Sequence, residues 1–137
     1  MLILMYILLC LTVTVLQAQV TGGVIDSYAT IIARHMNDCI TETGVDPFLV
    51  ERLKNGTFLE DRSLKCWIRC YYLKVNFFDQ NGVINEEIKK KLETENENVV
   101  LKALEECIDN SSDLCDKAFS FSKCYYNLVL ASNNNKQ

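Results

Sequence analysis

Apolar positions three and four residues apart recur along most of this chain, which is the spacing of an amphipathic helix. The first run extends over residues 25–40, and Gly44 follows it as a stop signal. A short second helix is predicted over residues 47–54, because Asp46 is a favoured N-cap and Pro47 suits the first helical position. The chain therefore begins its folded part with two consecutive helices.

The same spacing predicts four more helices, over about residues 61–75, 85–94, 99–107 and 114–128. Turn-forming residues at 79–82 separate the third helix from the fourth. The fourth helix is predicted to begin at Asn85, because Glu86 and Glu87 place negative charge in its first turn, where the helix dipole favours it. The tail, residues 132–137, is polar and is expected to fray. Because no alternating strand pattern of useful length occurs, the predicted fold is all-α.

The first 18 residues carry no charged side chain and end in the polar and small residues Gln17 and Ala18. This composition predicts a secretory signal peptide over residues 1–18 and a mature domain over residues 19–137. A membrane anchor is the alternative, since about 18 apolar residues approach the length that spans a bilayer. The flanking charges of an anchor are missing, so we expect a secreted, extracellular protein without membrane insertion.

The charge of the chain is modest, with 14 basic and 18 acidic residues and a formal net charge of -4. Both signs are interspersed along the sequence. Such a pattern gives no basic surface for a phosphate backbone, so no nucleic-acid partner is expected. The predicted mature chain has the length of one compact domain.

The number of cysteines says more about the fold than the net charge does. Cys10 lies in the predicted signal peptide, and the mature chain keeps six: Cys39, Cys66, Cys70, Cys107, Cys115 and Cys124. An even number in an exported chain predicts three disulfides. A zinc site would need further close cysteine pairs or neighbouring histidines, but His35 is the single histidine. We therefore expect no metal and no other cofactor.

Helix geometry excludes two cysteine pairings. Cys66 and Cys70 lie four residues apart on one predicted helix and point the same way, so a disulfide between them is unfavourable. Each is expected to bond to a different cysteine elsewhere in the chain. Cys115 and Cys124 would lie about 13 Å apart on a shared helix, beyond disulfide reach. The remaining pairings stay open on these grounds.

The spacing C-x26-C-x3-C-x36-C-x7-C-x8-C from Cys39 to Cys124 resembles that of the six-cysteine insect odorant-binding proteins, the pheromone/general odorant-binding protein family. Its two most characteristic parts, C-x3-C and C-x8-C, are both present. The resemblance covers essentially all of the mature chain. It implies a secreted carrier that binds small hydrophobic ligands, such as odorants, pheromones or similar semiochemicals, in an internal cavity.

The resemblance also implies which cysteines pair: Cys39 with Cys70, Cys66 with Cys115, and Cys107 with Cys124. The expected fold is then a compact all-α bundle of about six helices, stapled by three disulfides around an apolar cavity. Asn55 begins a glycosylation sequon in an exported chain and is the predicted acceptor. The sequon at Asn110 lies between bridged cysteines and is the poorer one.

The cavity of that family is lined by apolar helix faces, and the corresponding candidates here are Ile32, Met36, Leu49, Leu53, Leu73, Phe77, Phe78, Ile88, Leu92, Leu104, Phe119, Phe121 and Tyr125. Tyr125, together with Tyr71, Tyr72 or Tyr126, offers a hydroxyl to a ligand. His35 is the one side chain whose ordinary titration falls near neutral pH, which makes it the candidate for pH-triggered release.

Enzyme chemistry finds little support in the sequence. A secreted phospholipase needs a histidine base beside an aspartate and a calcium loop, whereas His35 is followed by Met36 and Asn37. The segment from residue 79 to residue 90 places Gly82 at the fourth position of a calcium loop instead of the sixth. We therefore expect no catalysis. The alternative to a carrier is a secreted helical signalling or regulatory protein that acts through a protein partner. In either case the candidate protein partners are a receptor and a second copy of the chain.

Overall fold

A computed structural model describes residues 32–94 and 98–134 of the chain. The chain divides into two compact units, Met1–Arg34 and His35–Gln137. In the first unit the described residues, 32–34, are helical. The predicted signal peptide, residues 1–18, and the start of the predicted mature domain lie outside the described residues.

Six helices occur in the described residues: α1, described over residues 32–43, α2 (Pro47–Lys54), α3 (Arg62–Lys74), α4 (Glu86–Thr94), α5 (Asn98–Glu106) and α6 (Leu114–Asn134). The all-α prediction is confirmed, and within this part of the chain the one β-type pairing is an isolated bridge between Phe78 and Ile84. None of the described helices has the length and apolarity needed to cross a membrane.

The starts of four helices are fixed by local side-chain caps, which explains why the sequence predicted them well. Asp46, Asp61 and Asn85 each accept a hydrogen bond from a backbone N–H in the first turn of α2, α3 and α4, respectively. Asp113 accepts two such bonds at the start of α6. Gly44 ends α1 with a positive φ of 65°, a conformation in which other residues are strained.

The end of α6 differs from the prediction. Fraying was expected from residue 132, but the helix continues to Asn134. Neither Gly nor Pro interrupts the sequence there, and the Ser132 hydroxyl donates a hydrogen bond to the Val129 carbonyl at 2.8 Å. Ser and Asn cost a helix only a few tenths of a kcal/mol each relative to the better helix formers, so the backbone stays helical past the last apolar residue.

Three disulfides cross-link the helices of the unit His35–Gln137. Cys39 in α1 is bonded to Cys70 in α3, and Cys66 in α3 is bonded to Cys115 in α6. Cys107, directly after α5, is bonded to Cys124 in α6. These are the pairs that the family resemblance implies. Each bridge stabilises a small domain by about 2–4 kcal/mol, largely by restricting the unfolded chain.

The core lies between α3 and α6, which form the most extensive helix pair. It is apolar, with these members: Cys39, Val45, Val50, Leu64, Trp67, Ile68, Phe78, Ala103, Leu104, Cys107, Ala118, Phe119 and Phe121. Helix α4 contributes no buried residue and contains no cysteine. It is therefore attached to the rest of the unit by half-buried contacts such as that of Leu92 with the core.

Charged side chains join the starts of α3 and α6. The Arg62 guanidinium lies 2.8 Å from the Asp113 carboxylate, and Lys65 lies 3.0 Å from Asp116. The hydrogen bond from Arg62, with those from the Asp116 and Cys115 amides, holds the pKa of the Asp113 carboxyl well below its usual range. The cap of α6 is therefore a carboxylate that stays ionised in mild acid.

Candidate functional site

Five aromatic side chains, two of them members of the core, form a continuous group that we name the aromatic cluster: Tyr72, Phe77, Phe78, Phe121 and Tyr125. Tyr72 comes from α3, the two phenylalanines from the segment after it, and the last two residues from successive turns of α6. Ring centroids lie 5.0 Å apart for Tyr72 and Phe78, and 6.5 Å apart for Phe121 and Tyr125. Each such ring pair stabilises a structure by about 0.5–1.5 kcal/mol beyond the burial of apolar area, so these five side chains hold one another in place.

A cavity of about 400 Å³ lies on one side of the aromatic cluster, and we name it the α4/α5 cavity. Its floor consists of the buried side chains of Phe78, Leu104 and Phe121. Val83 and Ile108 stand at its mouth, where they are 55% and 49% exposed. The remaining lining consists of Gly82, Ile84, Glu86, Lys89, Glu93, Leu101, Glu105, Asp109 and Lys117. The cavity thus combines an apolar interior with a charged rim.

The turn between α3 and α4 shapes one edge of this cavity. The Asp79 carboxylate accepts hydrogen bonds from the amides of Asn81 and Val83, both at 2.8 Å. Gly82 has a φ of +72°, and a Cβ there would lie 3.1 Å from a Leu114 methyl carbon. Glycine therefore satisfies both the backbone conformation of the turn and its close packing against the first turn of α6.

A second cavity, of about 290 Å³, lies between α1, α2, α3 and α6, and we name it the tyrosine cavity. Its lining is mostly aromatic and aliphatic: Met36, Leu53, Lys54, Phe58, Trp67, Ile68, Tyr71, Tyr72, Ser122, Tyr125 and Tyr126. Trp67 donates its indole N–H to the Met36 carbonyl at 3.2 Å and stacks on the Tyr71 ring. The rigid ring of Trp67 is therefore held at the wall of this cavity.

One hydroxyl pair supplies polarity to the tyrosine cavity. The Tyr72 Oη lies 2.7 Å from the Ser122 Oγ, and one of these hydroxyls donates to the other. Burial raises the pKa of Tyr72 to about 12, so its phenol is neutral at physiological pH. Since each hydroxyl can both donate and accept, the pair keeps hydrogen-bonding capacity beyond the bond between its members.

The residues predicted to contact a ligand are divided between the two cavities. Phe78, Leu104 and Phe121 line the α4/α5 cavity, and Met36, Leu53 and Tyr125 line the tyrosine cavity. The other predicted residues of the unit His35–Gln137 line neither of them: Leu49, Leu73, Phe77, Ile88, Leu92 and Phe119. Ile32 belongs to the unit Met1–Arg34 and is helical.

Phe119 illustrates why an apolar residue on a suitable helix need not face a cavity. Its ring packs edge-on against Phe58 with centroids 5.8 Å apart, and the ammonium groups of Lys65 and Lys123 approach it to 5.1 and 5.9 Å. It is therefore a core residue under a charged surface.

Some lining residues were not selected from the sequence. Leu101 lies three residues before Leu104 and Ile108 four residues after it, so the three-and-four spacing in the sequence was a signal that could have found them. Val83 lies in a turn, and Ser122 reaches the tyrosine cavity only through the pairing of α6 with α3. Local sequence patterns gave no signal for these two residues.

Two further candidates are exposed or half-buried outside both cavities. Asn55 is exposed at the C-terminal cap of α2, where an acceptor of glycosylation must lie, and its modification stays a prediction. His35 is half-buried in α1, lines neither cavity, and stays an untested candidate for a pH switch. The described residues bring no three His, Cys, Asp or Glu side chains together in a way that could hold a metal ion.

Known proteins resemble this chain in sequence. The sequence model of the PBP/GOBP family matches residues 26–127. General odorant-binding protein 19d of Drosophila melanogaster is 29% identical over 99 residues, which span 66% of this chain and 66% of that protein.

Solved structures give the same fold. Odorant binding protein 5 of Apis mellifera superposes with a TM-score of 0.64 at 20% identity, covering 74% of this chain and 88% of its own. Odorant binding protein 7 of Anopheles gambiae, with four disulfide bridges and in complex with an azo compound, gives a TM-score of 0.60 at 22% identity, covering 74% of this chain and 85% of its own.

Proposed function

Because this chain belongs to the PBP/GOBP family, we propose that it is a secreted, non-catalytic carrier that holds a small hydrophobic molecule in the α4/α5 cavity. The observation that carries this proposal is the apolar floor of Phe78, Leu104 and Phe121 beneath a cavity of about 400 Å³. Sites for small organic molecules are typically concave, mostly apolar and about 300–1,000 Å³ in volume.

Binding would rest mainly on apolar contact. Each Å² of apolar surface removed from water contributes about 25 cal/mol, and aromatic rings offer large rigid faces at little entropic cost. A ligand chain on the floor would also cover Val83 and Ile108, which are exposed at the mouth. Its polar end would remain at the charged rim, because burial of an unpaired polar group is costly.

The azo compound in the Anopheles protein is a small organic ligand, which supports the same class of ligand here. An odorant, a pheromone or a similar semiochemical would belong to this class. The proposal includes export, with residues 1–18 as signal peptide and residues 19–137 as the mature carrier. A receptor or a second copy of the chain would be a further partner of the loaded carrier.

The experiment is uptake and displacement of a neutral fluorescent naphthylamine probe by purified, oxidised protein comprising residues 19–137. We expect the probe to gain intensity on binding and to be displaced by 1-decanol. A helical signalling protein with a closed core would take up no probe, and that result would contradict the carrier proposal.

Trp67 identifies which cavity is used. It is the single tryptophan of the chain and lines the tyrosine cavity but not the α4/α5 cavity. Since decanol neither absorbs nor accepts the indole emission, it alters that emission only when it contacts or rearranges the tyrosine cavity. The emission is therefore recorded in a separate titration of probe-free protein with decanol. Constant Trp67 emission there, with displacement of the probe in the first titration, supports the α4/α5 cavity, whereas a shifted emission would move the site to the tyrosine cavity.

A further inference from the structure

Charged side chains surround the mouth of the α4/α5 cavity, and acidic ones predominate. The charged lining consists of Glu86, Glu93, Glu105, Asp109, Lys89 and Lys117. Four carboxylates against two ammonium groups give this rim a formal charge of -2. None of the six forms an ion pair with another described residue. The Asp109 carboxylate accepts a hydrogen bond from the Ser111 amide at 2.9 Å, and its negative charge, like the other five charges, has no ion-pair partner within the described residues.

The two walls of the cavity differ in their charge. On α4, Lys89 stands three residues after Glu86 and four before Glu93, so each carboxylate has a neighbouring positive charge. On the other wall, Glu105 lies in the last turn of α5 and Asp109 lies in the segment that follows the helix, and that wall contributes no lysine to the lining. The wall formed by α5 is therefore the negative side of the mouth.

Lys117, the second lysine of the lining, is directed toward the turn at Gly82. Its Cδ and Cε atoms would lie 3.3 and 3.8 Å from a Cβ at that glycine. The stem of this lysine therefore packs along the edge of the cavity. The apolar floor accordingly lies between a negative wall and a wall of mixed charge.

We propose that the α4/α5 cavity prefers amphiphiles with a protonated amine as the polar end over those with a carboxylate. This inference rests on the proposed function, since the cavity must first bind a small molecule. The apolar chain lies on Phe78, Leu104 and Phe121, and the ammonium group lies at the mouth beside Glu105 and Asp109. The cavity provides the site, and the charges of its rim select the head group.

The test compares decylammonium, 1-decanol and decanoate as competitors of the neutral naphthylamine probe at pH 7.4 and low ionic strength. The three share one chain length and differ in head-group charge. Exposed charge pairs each contribute little, so we expect decylammonium to bind about threefold to tenfold more tightly than decanoate, with decanol between them. In about 1 M salt, where the Debye length is about 3 Å, the preference should fall below about twofold.

A matched pair of double variants assigns the preference to this rim. Glu86→Gln with Glu105→Gln removes two lining carboxylates, whereas Glu87→Gln with Glu106→Gln removes their immediate neighbours on the same helices. Both pairs change the net charge equally, and all four positions are exposed, so both proteins should fold. Only the lining pair should reduce the preference for decylammonium over decanoate to about twofold or less.

The outcomes separate the two proposals. If decanol displaces the probe but decylammonium is not preferred, or if the preference survives in the lining variant, the inference about the head group is wrong and the carrier proposal stands. If the neighbouring variant loses the preference to the same extent, the effect arises from overall charge and the inference is again wrong. If none of the three competitors displaces the probe, both proposals fail.

Discussion

Replacing Phe121 or Phe119 by alanine separates the contribution of the α4/α5 cavity from that of the core. Both side chains lie on α6, and both are 3% exposed. Phe121 lines the α4/α5 cavity and contacts Phe78 with ring centroids 5.5 Å apart. Phe119 lines neither cavity and packs against Phe58. The two substitutions therefore match in chemistry, helix and burial but differ in access to the ligand.

The expected magnitudes follow from burial. Removal of a buried phenylalanine ring costs about 3–5 kcal/mol of unfolding free energy, and this applies to both variants. For binding, we take a ligand that covers about 40 Å² of the ring, about a quarter of what a phenylalanine side chain can bury. At about 25 cal/mol per Å² this is about 1 kcal/mol, or about fivefold in Kd.

The assay combines urea unfolding, with disulfides intact, and displacement of the naphthylamine probe by decanol. We expect a similar loss of stability in both variants, a Kd about fivefold higher for Phe121→Ala, and a Kd within about twofold of the native value for Phe119→Ala. If both variants lose affinity equally, binding depends on general core integrity and the assignment of the floor fails. Phe121→Leu, which retains more apolar volume, serves as the milder variant should the alanine protein not fold.

Three further outcomes are expected from the geometry. Gly56→Ala should lower the unfolding free energy by about 1–3 kcal/mol, because its φ of +81° strains an L-residue and the new methyl would meet the Tyr126 ring. Gly44→Ala is the control: its φ is +65° but the space around it is open, so the loss of unfolding free energy should be smaller. Equal losses in the two variants would mean that the Tyr126 contact does not matter. The pKa of Tyr72 is about 12 in the folded protein and about 10 when unfolded, so the contribution of this residue to stability should be fully present below pH 10 and should be lost as pH rises from about 10 to 12. Tyr72→Phe should remove this component of the decline in base titrations. Folding lowers the pKa of Asp113, so the contribution of this carboxylate to stability is present above its unfolded pKa and is lost as pH falls through its folded pKa. In acid unfolding followed by circular dichroism, the stability of Asp113→Asn should therefore depend less on pH than that of the native protein. An unchanged profile would contradict this linkage.

The helices could be predicted from the sequence because their starts are set locally. An aspartate that caps its own first turn, as Asp46 and Asp61 do, acts within three residues and needs no tertiary contact. The end of α6 was missed because the polar residues from Ser132 onward were expected to fray, whereas the backbone there depends on helix propensity and on the Ser132 hydrogen bond.

The cavity walls were predicted less well, since the apolar stripe of a helix does not reveal which neighbour it meets. Phe119 and Phe121 are separated by a single residue, yet the ring of Phe119 packs against Phe58 whereas the ring of Phe121 forms part of the floor of the α4/α5 cavity. The partition between core and cavity is set by how α6 packs on α3 and α5, a property of several chain segments together. Cysteine spacing was more informative, because the disulfides fix which helices are neighbours.

The absence of a cysteine and of any buried residue from α4 has a consequence for how such a carrier could diversify. Each of the three disulfides has at least one end on α3 or α6 and none involves α4, so substitutions on the exposed face of α4 should leave the cross-linked part of the unit folded. Glu86, Lys89 and Glu93 of α4 nevertheless line the cavity. A directed library at these three positions, or drift in a duplicated gene, could therefore change ligand preference at little cost in stability, since exposed substitutions usually change it by no more than about 0.5 kcal/mol.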